Sequence, residues 1–136
     1  MSDQKVSLGL YPACGTMKNN LVGSASLDFS LLVATPSGTV SGVVTIHQAL
    51  PLTPSQIHVH VTGRLRTILG SPFTKYIVIT GTYMQPCTPP ATCIITEKFE
   101  AYMFLHDNWD GTGGFEYANH VSEHLTVKSH PCFPKV

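Results

Sequence analysis

Charge is what this chain has least of. Only 12% of its 136 residues are Asp, Glu, Lys or Arg, eight of each sign, and the formal net charge is zero; ordinary soluble domains carry roughly a quarter. Eight scattered basic residues make no patch that would neutralise a phosphate backbone, which argues against nucleic acid as a partner. So little repulsion between copies leads us to expect a homo-oligomer. Cysteine is sparse as well: Cys14, Cys87, Cys93 and Cys132 are too few for a disulfide scaffold. The opening residues MSDQKVSLGLYPACG lack the basic and apolar regions of an export signal. The expectation is a cytoplasmic protein with free thiols, leaderless export being the alternative. No run approaches the ~20 apolar residues of a spanning helix, and neither an export signal nor an aromatic girdle marks a transmembrane barrel, so no membrane span is expected. Nucleophile elbow, phosphate loop and dinucleotide fingerprint are missing. Asp28, Glu97, Glu100, Glu116 and Glu123 are too dispersed to pair carboxylates for acid–base work. Nothing names a reaction, and a non-enzymatic role is expected.

What the chain does have is alternation. Ala25, Leu27, Phe29, Leu31 and Val33 stand at every second position, which puts them on one face of an extended strand. Thr35-Pro36-Ser37-Gly38 supplies a Pro with preset φ and a Gly free to take positive φ, predicting a tight turn. Val40, Gly42, Val44 and Ile46 continue the period on a returning strand, which Pro51 and Pro54 stop. A third strand sets Ile57, Val59, Val61, Gly63 and Leu65 against His58, His60, Thr62, Arg64 and Arg66. Before this unit, Val6, Leu8 and Leu10 predict a short strand ending at Tyr11-Pro12, followed by a surface loop from Gly15 to Gly23.

After it, Phe73 to Met84 is apolar on both faces, with Phe73, Ile77 and Ile79 on one and Tyr76, Val78 and Met84 on the other. Such a strand is expected to be covered by the core on one side and a partner subunit on the other. The Pro-rich stretch Gln85 to Thr92 cannot be a central strand. Ile94 to His106 reads as a strand with Phe99, Ala101, Met103 and Leu105 inward, a helix over Glu97 to Leu105 being the competing reading. Asp107 to Gly114 is turn chemistry throughout. Phe115, Tyr117, Leu125 and Val127 mark two closing strands, and Pro131 and Pro134 an irregular tail. The triplets Val61-Thr62-Gly63 and Ile79-Thr80-Gly81 are alike, as adjacent strands would be. About eight short strands with turns between them predict a single all-β domain over residues 1–136, an antiparallel β-barrel or β-sandwich. Closure is favoured, because open edges on strands this apolar invite aggregation.

Two places could carry chemistry. His58-x-His60 sets two imidazoles on one strand face about 6 to 7 Å apart, a spacing that suits zinc or another divalent metal. A third ligand is required, from His47, His106, His120, His124, a carboxylate or a thiol. Without one the pair reads as a solvated strand face, so no cofactor is expected and a metal-dependent enzyme is the alternative. His120-x-x-x-His124 lacks the helix that its spacing requires, and His130-Pro131-Cys132 lacks a paired C-x-x-C. Asp107-Asn108-Trp109-Asp110-Gly111 fails as a calcium loop for want of a Glu at its twelfth position. An exposed Trp109 between Asn108 and Asp110 would suit a sugar, the ring packing on the sugar face while polar groups bond hydroxyls. The plainer reading folds Trp109 back onto the end of the barrel.

Phe29-Ser30-Leu31-Leu32-Val33-Ala34-Thr35-Pro36, then Val40-Ser41-Gly42 and Thr45-Ile46-His47-Gln48-Ala49, resemble a family of small bacterial β-rich domains known only as a domain of unknown function. Leu8-Gly9-Leu10-Tyr11 and Val61-Thr62-Gly63 are similar to its flanking segments, and the likeness thins after Gly70. The resemblance implies a β fold and brings no activity or site residues. The functional expectation is a non-enzymatic binding or self-assembling module for a small molecule or glycan, centred on Trp109, Asn108 and Asp110; a structural oligomer subunit is the remaining alternative.

Overall fold

The computed structural model describes residues 9–21, 24–48, 55–87, 90 and 92–132. Val6, Leu8, Pro51, Pro54 and Pro134 lie outside the described residues. Eight strands follow one another: β1 (Gly9–Lys18), β2 (Ser26–Thr35), β3 (Thr39–Gln48), β4 (Ser55–Thr67), β5 (Lys75–Pro86), β6 (Ile94–Leu105), β7 (Gly111–Tyr117) and β8 (His120–His130). Each pairs antiparallel with the next, and β8 returns to β1 with Cys14 opposite His130 and Lys18 opposite Thr126, closing a barrel. The fold is therefore all-β and a barrel rather than a sandwich. No described residue is helical, and Glu97 to Leu105 is strand.

Period-two patterning explains the closure. Leu27, Phe29, Leu31 and Val33 of β2, Val40, Val44 and Ile46 of β3, and Phe99, Ala101, Met103 and Leu105 of β6 are all buried, while their neighbours face out. An eight-stranded barrel is just wide enough for side chains to fill it. Among the described residues the buried set contains no polar or charged residue. Each fully buried Leu, Ile or Phe contributes about 1.5–3 kcal/mol, so the interior is a core and not a ligand chamber. The Thr35–Thr39 hairpin forms as expected, with Gly38 at φ 78°. The two similar triplets are direct cross-strand neighbours: Val61 faces Gly81, Thr62 faces Thr80 and Gly63 faces Ile79.

Three expectations fail locally. The first strand does not stop at Pro12 but runs to Lys18, through residues assigned to a loop. Its inward positions are small because the ring of Phe29 already fills the space: a Cβ on Gly15 would lie 2.6 Å from that ring. Pro12 is tolerated because β8 pairs with β1 only from Cys14 onward. Second, β5 begins at Lys75, so Phe73 does not share the face of Ile77 and Ile79; it packs outside, 4.8 Å from the ring of His106 and 6.1 Å from Phe104. On the opposite face Tyr76 and Val78 are half-buried, whereas Met84 is 74% exposed. Third, Gly111 to Gly114 are strand, not turn. Gly114 leaves room for Tyr102, whose hydroxyl oxygen would lie 3.0 Å from an added Cβ.

The cysteines also differ from expectation. Cys14 is bonded to Cys132 and Cys87 to Cys93, and no thiol is free among the described residues. The fold brings each pair's Cα atoms to 5.1 and 5.3 Å, within the span a disulfide bridges.

Candidate functional site

The barrel wall opens in one place. β4 and β5 are paired from Thr67 opposite Lys75 to His60 opposite Thr82. Both strands then continue without each other. β4 stays laddered only to β3, as far as Ser55 opposite Gln48, and β5 only to β6, as far as Pro86 opposite Ile94. A cleft of about 660 Å³ lies between the two limbs.

The cause is the length of the β5–β6 hairpin. β6 meets β7 only from Phe99 opposite Tyr117, so residues 83–86 and 94–98 project past the barrel end as a two-stranded ribbon. The Cys87–Cys93 bond and the Cys87 N–H donating to the Cys93 carbonyl at 2.9 Å close its tip. Ile94 is 68% exposed on this ribbon beside Met84.

His58 and His60 both line the cleft, on the exposed outer face of β4. His58 Nδ1 lies 3.0 Å from the Thr45 hydroxyl, its cross-strand neighbour. Gln56, Thr82, Gln85 and Thr96 add amides and hydroxyls, and no Asp, Glu, Lys or Arg is in the lining. Tyr83 forms part of the wall, yet only 8% of it is exposed, and its buried hydroxyl has no hydrogen-bond partner among the described residues. A buried hydroxyl left unpaired costs about 1–3 kcal/mol. Burial raises the phenol's pKa above its ordinary value, and the nearby Glu97 and Tyr117 raise it further.

Beside the cleft, a hydrogen-bonded chain crosses β1 to β4 on the outer surface. The Thr16 hydroxyl donates to Asp28 Oδ1 at 2.8 Å, Asp28 Oδ2 meets His47 Nε2 at 2.8 Å, and Gln56 Nε2 reaches His47 Nδ1 at 3.3 Å. Because an amide nitrogen can only donate, His47 Nδ1 accepts and its Nε2–H is given to Asp28. The imidazole's second nitrogen thus faces an amide and not a nucleophile, and the order of groups is not that of a catalytic triad. The ladder ties four strands together.

The metal expectation gains no third ligand: no group of three or more His, Cys, Asp or Glu residues converges among the described residues. His120 stands against the Tyr117 ring at 5.1 Å, on a strand and not on a helix with His124. Cys132 is bonded to Cys14 and does not join Cys87 or Cys93.

Trp109 is not exposed. Its loop turns with Trp109 N–H donating to the His106 carbonyl at 3.0 Å and φ at 71°, and the side chain is 8% accessible, edge-on to Tyr11 with centroids 6.2 Å apart. Asn108 and Asp110 are used within the fold. Asp110 Oδ1 accepts from the Ser129 N–H at 2.8 Å and its hydroxyl at 2.9 Å, and the Asn108 carbonyl accepts from the same hydroxyl at 2.8 Å. These bonds hold the Asp110 carboxyl below its ordinary pKa. Here β1 parts from β8 much as β4 parts from β5, but the Trp109 loop and the Cys14–Cys132 bond occupy the break, leaving a shallower groove of about 430 Å³. The β4–β5 opening had no such signature in the sequence. Two strands of unequal reach look the same as two that pair throughout.

Fold and site define a small closed β-barrel with a filled interior and an uncharged lateral cleft. The sequence matches the profile of a domain of unknown function (DUF1842) over residues 8–122, and the chain belongs to that family. No curated protein matches the sequence.

Proposed function

We propose that the protein is a non-enzymatic binding module whose ligand seats in the cleft between β4 and β5. One observation carries this reading: the two strands separate while both continue, leaving a space walled by imidazoles, amides and hydroxyls. Such groups donate and accept hydrogen bonds without fixed charge, which suits an uncharged, hydrogen-bonding ligand. The packed Trp109 moves the reading away from a stacked sugar at the other barrel end. Self-association is a second reading, favoured by Met84 and Ile94 on the projecting ribbon, because exposed apolar edges are commonly covered. The two bonded cysteine pairs favour an oxidising compartment over the cytoplasm, since cytosolic thiols stay reduced.

The test follows the imidazole resonances of His58 and His60 by NMR. Neutral oligosaccharides, short peptides and small amide compounds are added to untagged protein in turn. Saturable shifts confined to residues around the cleft support the reading. Shifts at Trp109 and Tyr11 with a silent cleft, or none anywhere across all three probe classes, refute it.

A further inference from the structure

We infer that the ligand of this cleft is an extended polypeptide segment of a partner protein, added as a strand between β4 and β5. The inference rests on the binding reading just given and supplies its chemical class. Its basis is the backbone. Residues 56–59 of β4 and 83–86 of β5 are laddered on one side only, so each limb presents to the cleft an edge of main-chain N–H and C=O groups. What an open strand edge pairs with best is another backbone, and a cleft bordered by two edges offers a ladder to both sides of one inserted strand.

Size agrees. Strand rise, strand spacing and the depth of a packed sheet give an extended residue about 160 Å³. The 660 Å³ of the cleft therefore holds about four residues, the length of the open limb from Tyr83 to Pro86. Charge agrees too, because a lining free of Asp, Glu, Lys and Arg asks nothing ionic of its ligand. The inserted strand would alternate, one set of side chains turned in towards Tyr83, where a polar atom would find the buried hydroxyl, and the other set out past His58 and His60.

The experiment uses the full chain, untagged and oxidised, panned against a random heptapeptide library. The strongest binders are then resynthesised with alternate backbone nitrogens methylated, in both registers. The expected result is enrichment of peptides with a period-two pattern that slow amide exchange at 56–59 and 83–86. One methylated register should lose about tenfold or more in affinity, as several ladder hydrogen bonds are removed together. Peptides that bind but protect other residues, or that tolerate methylation in both registers, overturn the inference. So does the absence of peptide binders when oligosaccharides or amide compounds shift His58 and His60, in which case the cleft reading survives. Failure of every probe removes both. If light scattering finds a dimer in which these amides are already protected without peptide, the occupant is a second copy and the inference falls.

Discussion

At the scale of single residues, the groups at the Trp109 end hold the loop in place. Thr74 and Lys75 hold the Asp107 carboxyl below its ordinary pKa of 3.8, as Ser129 does for Asp110. A carboxylate whose pKa is lower folded than unfolded stabilises the fold fully above the unfolded value, and that contribution disappears as pH falls through the folded value. Both groups are exposed, so the effect is modest. The wild-type urea midpoint is expected to drop as pH is taken below about 4, and Asp110→Asn to flatten that drop while changing little between the variant's own midpoints at neutral and acid pH. An equally steep decline in the variant would show that the carboxylate is not involved.

At the scale of elements, what was legible depended on whether packing could be read from one strand alone. The β2–β3 hairpin was, because Leu27 to Val33 and Val40 to Ile46 each alternate and Gly38 sits where a turn needs positive φ. The histidines were placed on an outer strand face, as their alternation with Ile57, Val59 and Val61 implies. The second half of β1 was not legible, since its small inward residues make sense only once Phe29 of another strand fills the space beneath them. Nor were the glycines of β7, which look like a turn until Tyr102 is laid across them. The cleft is of the same kind: it arises from β5 and β6 outreaching β4 and β7, a relation between strands. That ribbon should be the least stable element. A lone two-stranded ribbon is marginal in water, and here the Cys87–Cys93 bond closes its tip. In the double variant Cys87→Ser, Cys93→Ser, amide exchange should quicken at 83–86 and 94–97 with the barrel amides unchanged. Uniform quickening would mean that the ribbon and barrel open together.

For the whole molecule, the other disulfide matters more. Cys14 and Cys132 are 118 positions apart and Cys87 and Cys93 only six. In the chain-entropy account, closing the long loop stabilises the fold by about 5 kcal/mol and the short one by about 2. Cys14→Ser, Cys132→Ser should therefore lower unfolding free energy in urea by clearly more than the ribbon variant does; equal losses would show that the long closure acts mainly through native packing around Trp109.

The closure between Cys14 and Cys132 also decides how the molecule would carry load. Those two residues bound nearly the whole barrel, so a pull applied through residues before Cys14 and after Cys132 runs across one sulfur–sulfur bond and bypasses every ladder between them. Cutting that bond would release a stored contour of roughly 400 Å. Oxidised, the chain is an inextensible link; reduced, it is a spring whose first yielding seam is the zipper between β1 and β8.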